Sequence, residues 1–287
     1  MLDFDSARDP VTPKDASTVV ALRERGGRLE VFCVKRHGKS GFLGGAVVFP
    51  GGKVAPEDQS LDWTPMTNGL AARSDAFAEA PLVFAVAALR ELFEEAALMP
   101  TVGRTLSDAE VTSLRARVTA APDPTRAFHE LLSTEQLMLD TARLVPFSRW
   151  VTPRAEQRRY DTRFYLLPLT EAQRGVHDDH ETTQSFWASP ADVLARWERD
   201  ELFLAPPTSH TLNVLAALAG LEAALELAQH TDLSEVCPHF CMVEQQMVLA
   251  LPGDPLFPEA APPPADPSAP TRFVMEGSRF VPRRIVD

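Results

Sequence analysis

The chain is short of cysteine, of positive charge and of long apolar runs. Only Cys33, Cys237 and Cys241 occur in 287 residues. An odd number of so few argues against a disulfide framework and suits a reducing compartment. No apolar run approaches the roughly 20 residues of a membrane helix, and the polar, acidic start MLDFDSARDP is unlike a secretory signal. These absences lead to the expectation of a cytoplasmic protein with no membrane partner. Lys and Arg number 28 against 40 Asp and Glu, a net charge of −12. Nucleic acid polymers are therefore not expected as partners, because binding a phosphate backbone needs a basic face. A small anionic substrate is not excluded, since clustered acids can hold a divalent cation that then supplies the positive charge. Internal repeats are absent. The Cys237-Pro238-His239-Phe240-Cys241 segment lacks a second ligand pair at zinc spacing and reads as small packed residues.

Hydrophobic residues make up 45% of the chain, enough for a sizeable core. Residues 17–22 and 29–35 read as strands joined at Arg25-Gly26-Gly27-Arg28, a hairpin signal. A glycine-rich stretch follows at 38–52, with a short strand at 46–49. Residues 53–81 lack steady periodicity and read as a loop around one short helix. Residues 82–98 are the clearest helix: Leu82, Val86, Leu89, Phe93 and Ala96 recur at steps of four and three and mark one buried face. Further helices are expected at 108–118, 125–132, 191–198 and 211–229, and strands at 144–150, 160–167 and 184–188. The helix at 211–229 is either core or a dimer face, which leaves a homodimer open. A proline cluster at 252–270 reads as an extended linker. Residues 271–287 form a tail with a hairpin signal around Gly277-Ser278. The expected division is a domain over 1–251, with an insertion at about 59–81, then linker, then tail.

On the polar side of the helix at 82–98, Glu91, Glu94 and Glu95 stand at i, i+3 and i+4 and project from one arc. Three like charges this close destabilise an isolated helix. A divalent cation among them reverses the sign, since Mg²⁺ takes oxygen ligands and keeps open positions for phosphate oxygens and water. Upstream, Phe49-Pro50-Gly51-Gly52 lets the backbone turn and approach a ligand without side-chain obstruction. Strand end, glycine pair and acid-bearing helix together describe a phosphate and metal cradle.

These residues resemble the Nudix (MutT-like) hydrolases, whose box reads G, five residues, E, seven residues, R-E-hydrophobic-x-E-E-x-G-hydrophobic. Here Gly52 is followed after five residues by Asp58, and later by Arg90-Glu91-Leu92-Phe93-Glu94-Glu95-Ala96-Ala97-Leu98. Asp58 stands where the family usually has Glu, and Ala97 where it usually has Gly, which requires a helix end without positive φ at that residue. The gap from Asp58 to Arg90 holds 31 residues in place of seven, so the box is split by an insertion of 24. Lengthening a loop costs little chain entropy and keeps the cradle if the two halves still meet. The resemblance implies a Nudix fold of mixed α/β (α+β) class: a mixed β-sheet sandwiched between helices, with the insertion inside the box and added C-terminal helices. It implies Mg²⁺ or Mn²⁺ held by Glu91, Glu94 and Glu95 with the Gly51 carbonyl. Gly52, Asp58 and Arg90 would support the site, the last two as an ion pair bracing loop against helix. The reaction implied is metal-assisted attack of water on a diphosphate, with Glu94, Glu95 or a residue of a later loop as general base. In His177-Asp178-Asp179-His180-Glu181 the chosen residue is Glu181, as ligand or base; Asp178 and Asp179 are fallbacks, and an acidic surface loop is the plain alternative.

The split box, Trp150-Val151-Thr152-Pro153, Arg159-Tyr160-Asp161-Thr162-Arg163-Phe164 and Pro206-Pro207-Thr208 also resemble the branch of that family that includes the peroxisomal coenzyme A diphosphatase of animals. This implies a small nucleotide-type substrate, coenzyme A or acyl-coenzyme A. The alternatives are ADP-ribose, dinucleotides or capped nucleotides, or a non-catalytic nucleotide sensor. Of the coenzyme A signature of that branch, Gly45 followed after three residues by Phe49-Pro50-Gly51-Gly52 is present, while the arginine expected four residues before Gly45 is replaced by Gly41, with Lys39 or Arg36 as substitutes. Arginine forks suit phosphate oxygens and aromatic rings stack on adenine. Arg154, Arg159, Arg163, Tyr160 and Phe164 are therefore the expected substrate-binding residues, with Arg158 in the same basic stretch. The plain alternative is strand alternation, which puts Phe164 on one face and Arg163 on the other.

Overall fold

The computed structural model describes residues 4–5, 9–38, 43–259 and 269–284. Lys39 and Gly41, and residues 260–268 of the proline-rich stretch, lie outside the described residues. Strands β1 (Lys14–Arg25) and β2 (Arg28–Arg36) form the expected hairpin, longer than periodicity suggested. Its turn is Gly26-Gly27, with φ of +57° and +71°. Two consecutive positive φ values suit the twist of a two-residue hairpin and favour glycine at both places.

The next elements are β3 (Ala46–Val48), β4 (Gly51–Lys53), α1 (Pro56–Ser60), α2 (Ser74–Phe77), α3 (Pro81–Ala96), α4 (Asp108–Thr119) and α5 (Pro124–Thr134). After them come β5 (Val145–Val151), β6 (Tyr160–Pro168), β7 (Thr182–Ala188), α6 (Pro190–Glu198), β8 (Phe203–Leu204), α7 (Pro206–Ala216), α8 (Leu221–His230) and β9 (Glu235–Val236). Strands β10 (His239–Val243), β11 (Gln246–Ala250), β12 (Arg272–Glu276) and β13 (Arg279–Arg283) close the chain. A nine-stranded mixed sheet has the order β8-β3-β2-β1-β6-β5-β9, with β4 also on β1 and β7 also on β2. β1 runs parallel to β6 and antiparallel to β2 and β4.

The period-2 alternation of the central strands feeds two cores. Val19, Ala21, Phe32, Val34 and Tyr165 face Leu89, Leu92 and Phe93 of α3 and Phe128 of α5. Val20, Leu22, Val31, Cys33 and Leu166 face α6, α7 and α8. The sheet is thus sandwiched between helices. Among the described residues no single helix is long and apolar enough to cross a membrane.

Several expectations need correction. Residues 211–229 are not one helix. α7 and α8 are bent by 118° at a break that includes Gly220, a residue that disfavours helix interiors. The bend lets Leu212, Leu215, Ala224 and Ala228 enter one core. The segment containing Cys241 is strand β10, and β10–β13 build a second, four-stranded antiparallel sheet. The tail hairpin forms there on β11, with Phe273 and Phe280 fully buried. The insertion is more ordered than a loop: Trp63 is buried against the ring of Phe128 and donates from Nε1 to the Asp58 carbonyl at 3.1 Å.

Ala97 caps α3 in the left-handed region (φ 49°, ψ 39°), so the helix end does take the conformation for which glycine is usual. A left-handed alanine costs roughly 1–2 kcal/mol, and its buried methyl returns about 0.8 kcal/mol. Ala97→Gly is expected to stabilise the protein by under about 1 kcal/mol, read as an upward shift of the urea midpoint. A clearly lowered midpoint would show that methyl packing dominates.

Candidate active site

The cradle sits where the sheet forks. β3 pairs with β2 (Val34 with Val48) and β4 pairs with β1 (Thr18 with Gly51), so the Phe49-Pro50 corner bridges the gap between β1 and β2. The Pro50 carbonyl accepts from Val19 N–H at 2.8 Å and fixes the corner. α3 lies against β1 and β4. Close approach of backbone demands glycine at position 51, and glycine at position 52 leaves the Glu91 side chain where it stands. A Cβ on Gly52 would fall inside the Glu91 carboxylate, and one on Gly51 would collide with the β1 backbone at Ser17 and Thr18. The Gly51 N–H donates to Glu95 Oε2 at 3.0 Å.

Asp58 and Arg90 meet despite the insertion between them. Arg90 donates from Nε and Nη2 to the two Asp58 oxygens at 3.0 and 2.8 Å, a bidentate pair that is buried on both sides. Asp58 also accepts from the Ala55 N–H at 2.8 Å, and Arg90 Nη2 donates to the Lys53 carbonyl at 3.0 Å. Helix α3, helix α1 and the end of β4 are thereby tied at one point. Nη1 of the same arginine reaches Glu91 at 2.9 Å and Glu94 at 3.3 Å.

Glu91, Glu94 and Glu95 are thus crowded on one arc beside the Arg90 guanidinium, itself shared with Asp58, and Arg36 also pulls on Glu95. Burial raises all three carboxyls against the opposing pull of Arg90 on Glu91 and Glu94 and of the Gly51 N–H on Glu95. Glu94 is pushed up to about 7. Mutual repulsion adds to burial, from Glu91 on both Glu94 and Glu95 and from Glu181 on Glu91 and Glu95. Burial also disfavours charge on Arg90, but Glu91 and Asp58 outweigh it and hold the guanidinium protonated. Among the described residues no three acidic side chains already gather about one point; they are turned to Arg90 and to the Gly51 N–H. The donor set, all carboxylate oxygen with excess negative charge in a partly dry cleft, nevertheless fits a hard divalent cation.

A cavity of about 550 Å³ opens from these acids. Glu91, Glu94, Gly51 and Gly52 line one end, together with Glu181 and Arg36. Glu181 arrives because β7 pairs along β2 (Arg36 with Thr182) and the Glu181 carbonyl accepts from His37 N–H at 2.8 Å. Asp178 does not face the cleft as a spare acid. It accepts from the N–H groups of Glu181 and Thr182 at 2.9 and 2.8 Å and from the Thr182 hydroxyl at 2.7 Å, closing the turn that carries Glu181. Asp179 pairs with His177 at 2.9 Å.

Of the expected substrate-binding residues, Tyr160 and Phe164 line the cavity and Arg154, Arg159 and Arg163 do not. The reason is the strand's alternation: Tyr160, Thr162 and Phe164 share the cavity face of β6, and Arg163 points to the other face. There Arg163 is buried over the Phe84 ring and pairs with Asp15 and Asp161. Arg159 is a buried brace that donates to the carbonyls of Thr152 and Val11 at 3.0 and 2.6 Å. Arg154 is exposed and lies 3.8 Å from Glu259. The lining cations are Arg36, Lys53 and Arg158. Lys53 and the wall residues Phe4, Pro238 and Leu249 had no motif to announce them. Only the position of Lys53 directly after the glycine pair could have marked it.

The family model described as the NUDT19 Nudix domain matches residues 71–215. Acyl-coenzyme A diphosphatase NUDT19 of Gallus gallus is 30% identical over 280 residues, covering 80% of this chain and 73% of that protein. The Homo sapiens protein of the same name is 28% identical, covering 78% of this chain and 71% of its own length. Among solved structures, a Nudix hydrolase from Alicyclobacillus acidocaldarius superposes with a TM-score of 0.65 at 26% identity, over 78% of this chain and 98% of that one.

Proposed function

The chain belongs to the Nudix hydrolases, in the NUDT19 branch, and from that premise we propose that it cleaves the diphosphate of coenzyme A or acyl-coenzyme A. Water adds to one phosphorus and the bridging oxygen departs with the other, giving 3′,5′-ADP and phosphopantetheine or its acyl thioester. The observation that carries this reading is the cavity. It joins the acids of α3 to an aromatic wall of Trp150, Tyr160 and Phe164, which suits a diphosphate with a nucleoside on one side.

Nudix hydrolases generally work with a divalent metal, and Mg²⁺ or Mn²⁺ is the choice for oxygen donors. Glu91, Glu94 and Glu95 would hold it, with the Gly51 carbonyl. Bound there, the cation supplies Lewis-acid polarisation of the phosphoryl oxygens and lowers the pKa of the attacking water. The protein's own contribution is positioning. Gly52 leaves room for the Glu91 carboxylate, the Asp58–Arg90 pair fixes the loop on the helix, and Arg36 and Lys53 bring positive charge to the anionic substrate. Glu181 serves as general base or as a further ligand from the opposite wall. Glu181→Gln keeps size and hydrogen bonding but removes the charge. Turnover is expected to fall by roughly 10² or more, and turnover within a few-fold of the parent at saturating metal would return Glu181 to the surface.

The competing substrates are ADP-ribose, dinucleotides and capped nucleotides. The test is kcat/KM across that panel with Mg²⁺ or Mn²⁺. Coenzyme A or an acyl-coenzyme A should lead, and ADP-ribose turned over as fast would overturn the substrate assignment.

A further inference from the structure

The floor of the cavity gives a scale along which a ligand can be measured. Thr18 of β1 pairs with both Gly51 and Phe164, and Lys14 pairs with Tyr160. Phe164 is therefore level with the glycine pair at the acid end. Tyr160 lies four residues farther along, roughly 13 Å at about 3.3 Å per strand residue. Phe164, Thr162 and Tyr160 all line the cavity, so the floor is continuous over that distance. The three lining acids, Glu91, Glu94 and Glu181, belong to the near end with Arg36. Lys53 is intermediate, level with Thr162 through their common partner Ala16. Arg158 stands two residues before Tyr160, where the chain enters β6 at the end away from the acids, and it is the arginine of the stretch 154–163 that lines the cavity.

An arginine past an aromatic floor, on the side away from the acids, is placed for a second anionic group on the nucleoside end of a diphosphate. We propose that Arg158 binds the 3′-phosphate of the coenzyme A nucleotide and is a specificity residue separating 3′-phosphorylated adenosine diphosphates from plain ones. The proposal rests on the substrate reading above and adds to it which end of the molecule is read, and by what. The guanidinium fork matches two phosphate oxygens, and a dianionic phosphate gains more from it than a ribose hydroxyl does. Tyr160 and Phe164 would hold the adenosine between this anchor and the metal-binding acids. ADP-ribose and dinucleotides lacking a 3′-phosphate would fill the floor and present no second anion to Arg158.

The test compares coenzyme A with 3′-dephospho-coenzyme A in the parent, Arg158→Gln and Arg158→Lys, and measures binding of 3′,5′-ADP and ADP to each by calorimetry. Arg158 is exposed, so the variants should fold, which thermal melts verify. The parent should favour coenzyme A by about tenfold or more, the scale of one charge-assisted hydrogen-bonded contact. Arg158→Gln should lose most of that preference through KM with kcat retained, and should bind 3′,5′-ADP no better than ADP. Arg158→Lys should recover part of the preference. Equal losses on both substrates, or an unchanged preference in Arg158→Gln, would overturn the proposal. Absence of turnover of both coenzymes with the 3′,5′-ADP preference intact and dependent on Arg158 would instead contradict the substrate reading and leave the anion site standing.

Discussion

The double variant Glu94→Gln, Glu95→Gln is expected to lose at least roughly 10³-fold in turnover while folding at least as stably as the parent. Two arguments lead there. The electrostatic help that a bound cation gives a phosphoryl transition state is worth several kcal/mol, and each 1.36 kcal/mol is a factor of ten in rate. Removing two carboxylates from the ligand set should forfeit most of it. Stability should move the other way. Burial and mutual repulsion raise both carboxyls in the folded protein. A carboxyl whose folded pKa is raised in this way destabilises the native state by its charge near neutral pH, and a neutral isostere removes that cost. The new amide oxygen at position 95 can still accept from the Gly51 N–H. Loss of activity together with a retained or raised melting temperature is the pattern of residues kept for function against stability. Activity within tenfold of the parent would remove the metal-site assignment, and a large drop in melting temperature would show that these acids are structural.

Breaking the pair beneath them should have a different signature. Asp58→Ala leaves Arg90 buried with its bidentate partner gone, and a buried charge stripped of its partner typically costs about 3–5 kcal/mol. The loss should be near the upper end, because Asp58 also accepts from Ala55 and the segment around it anchors Trp63. Urea unfolding should show the midpoint falling with the slope unchanged. Activity should drop as well, since Arg90 would be free to lean on Glu91 and Glu94, both of which it already contacts. A destabilisation under about 1 kcal/mol would mean that the two halves of the split box are not coupled as the geometry indicates.

How much of this could be read in the sequence depends on how local each signal is. The acid arc of α3 was legible because helical spacing fixes which residues share a face. The Asp58–Arg90 contact was legible only through the family pattern. The residues between them carry no local sign that their ends meet, and what joins them is the Trp63 anchor and the capping contact of Asp58. The arginines failed for a physical reason: charge density along 154–163 says nothing about which wall of a strand each residue faces. The parity of β6 sends Arg163 away from the cavity, and the β5–β6 turn makes Arg159 a brace. In the C-terminal sheet the Gly277-Ser278 turn marked the β12–β13 hairpin, whereas β10 and β11 escaped because each is only five residues long and the sheet they join brings together segments distant in sequence. Ala97 is the instructive small case. An alanine where the family usually has glycine implied a relaxed helix end, yet the helix keeps its left-handed cap and tolerates the side chain.

The most direct measurement is product identification after turnover of coenzyme A in ¹⁸O-enriched water with Mg²⁺. The account predicts 3′,5′-ADP and 4′-phosphopantetheine in equal amounts, one ¹⁸O atom on one of the two new phosphate ends, and product formed at least roughly 10³-fold more slowly by the Glu94→Gln, Glu95→Gln protein. Release of inorganic phosphate with 3′-dephospho-coenzyme A, thioester hydrolysis of an acyl-coenzyme A with the diphosphate intact, or equal product from the double variant would contradict it.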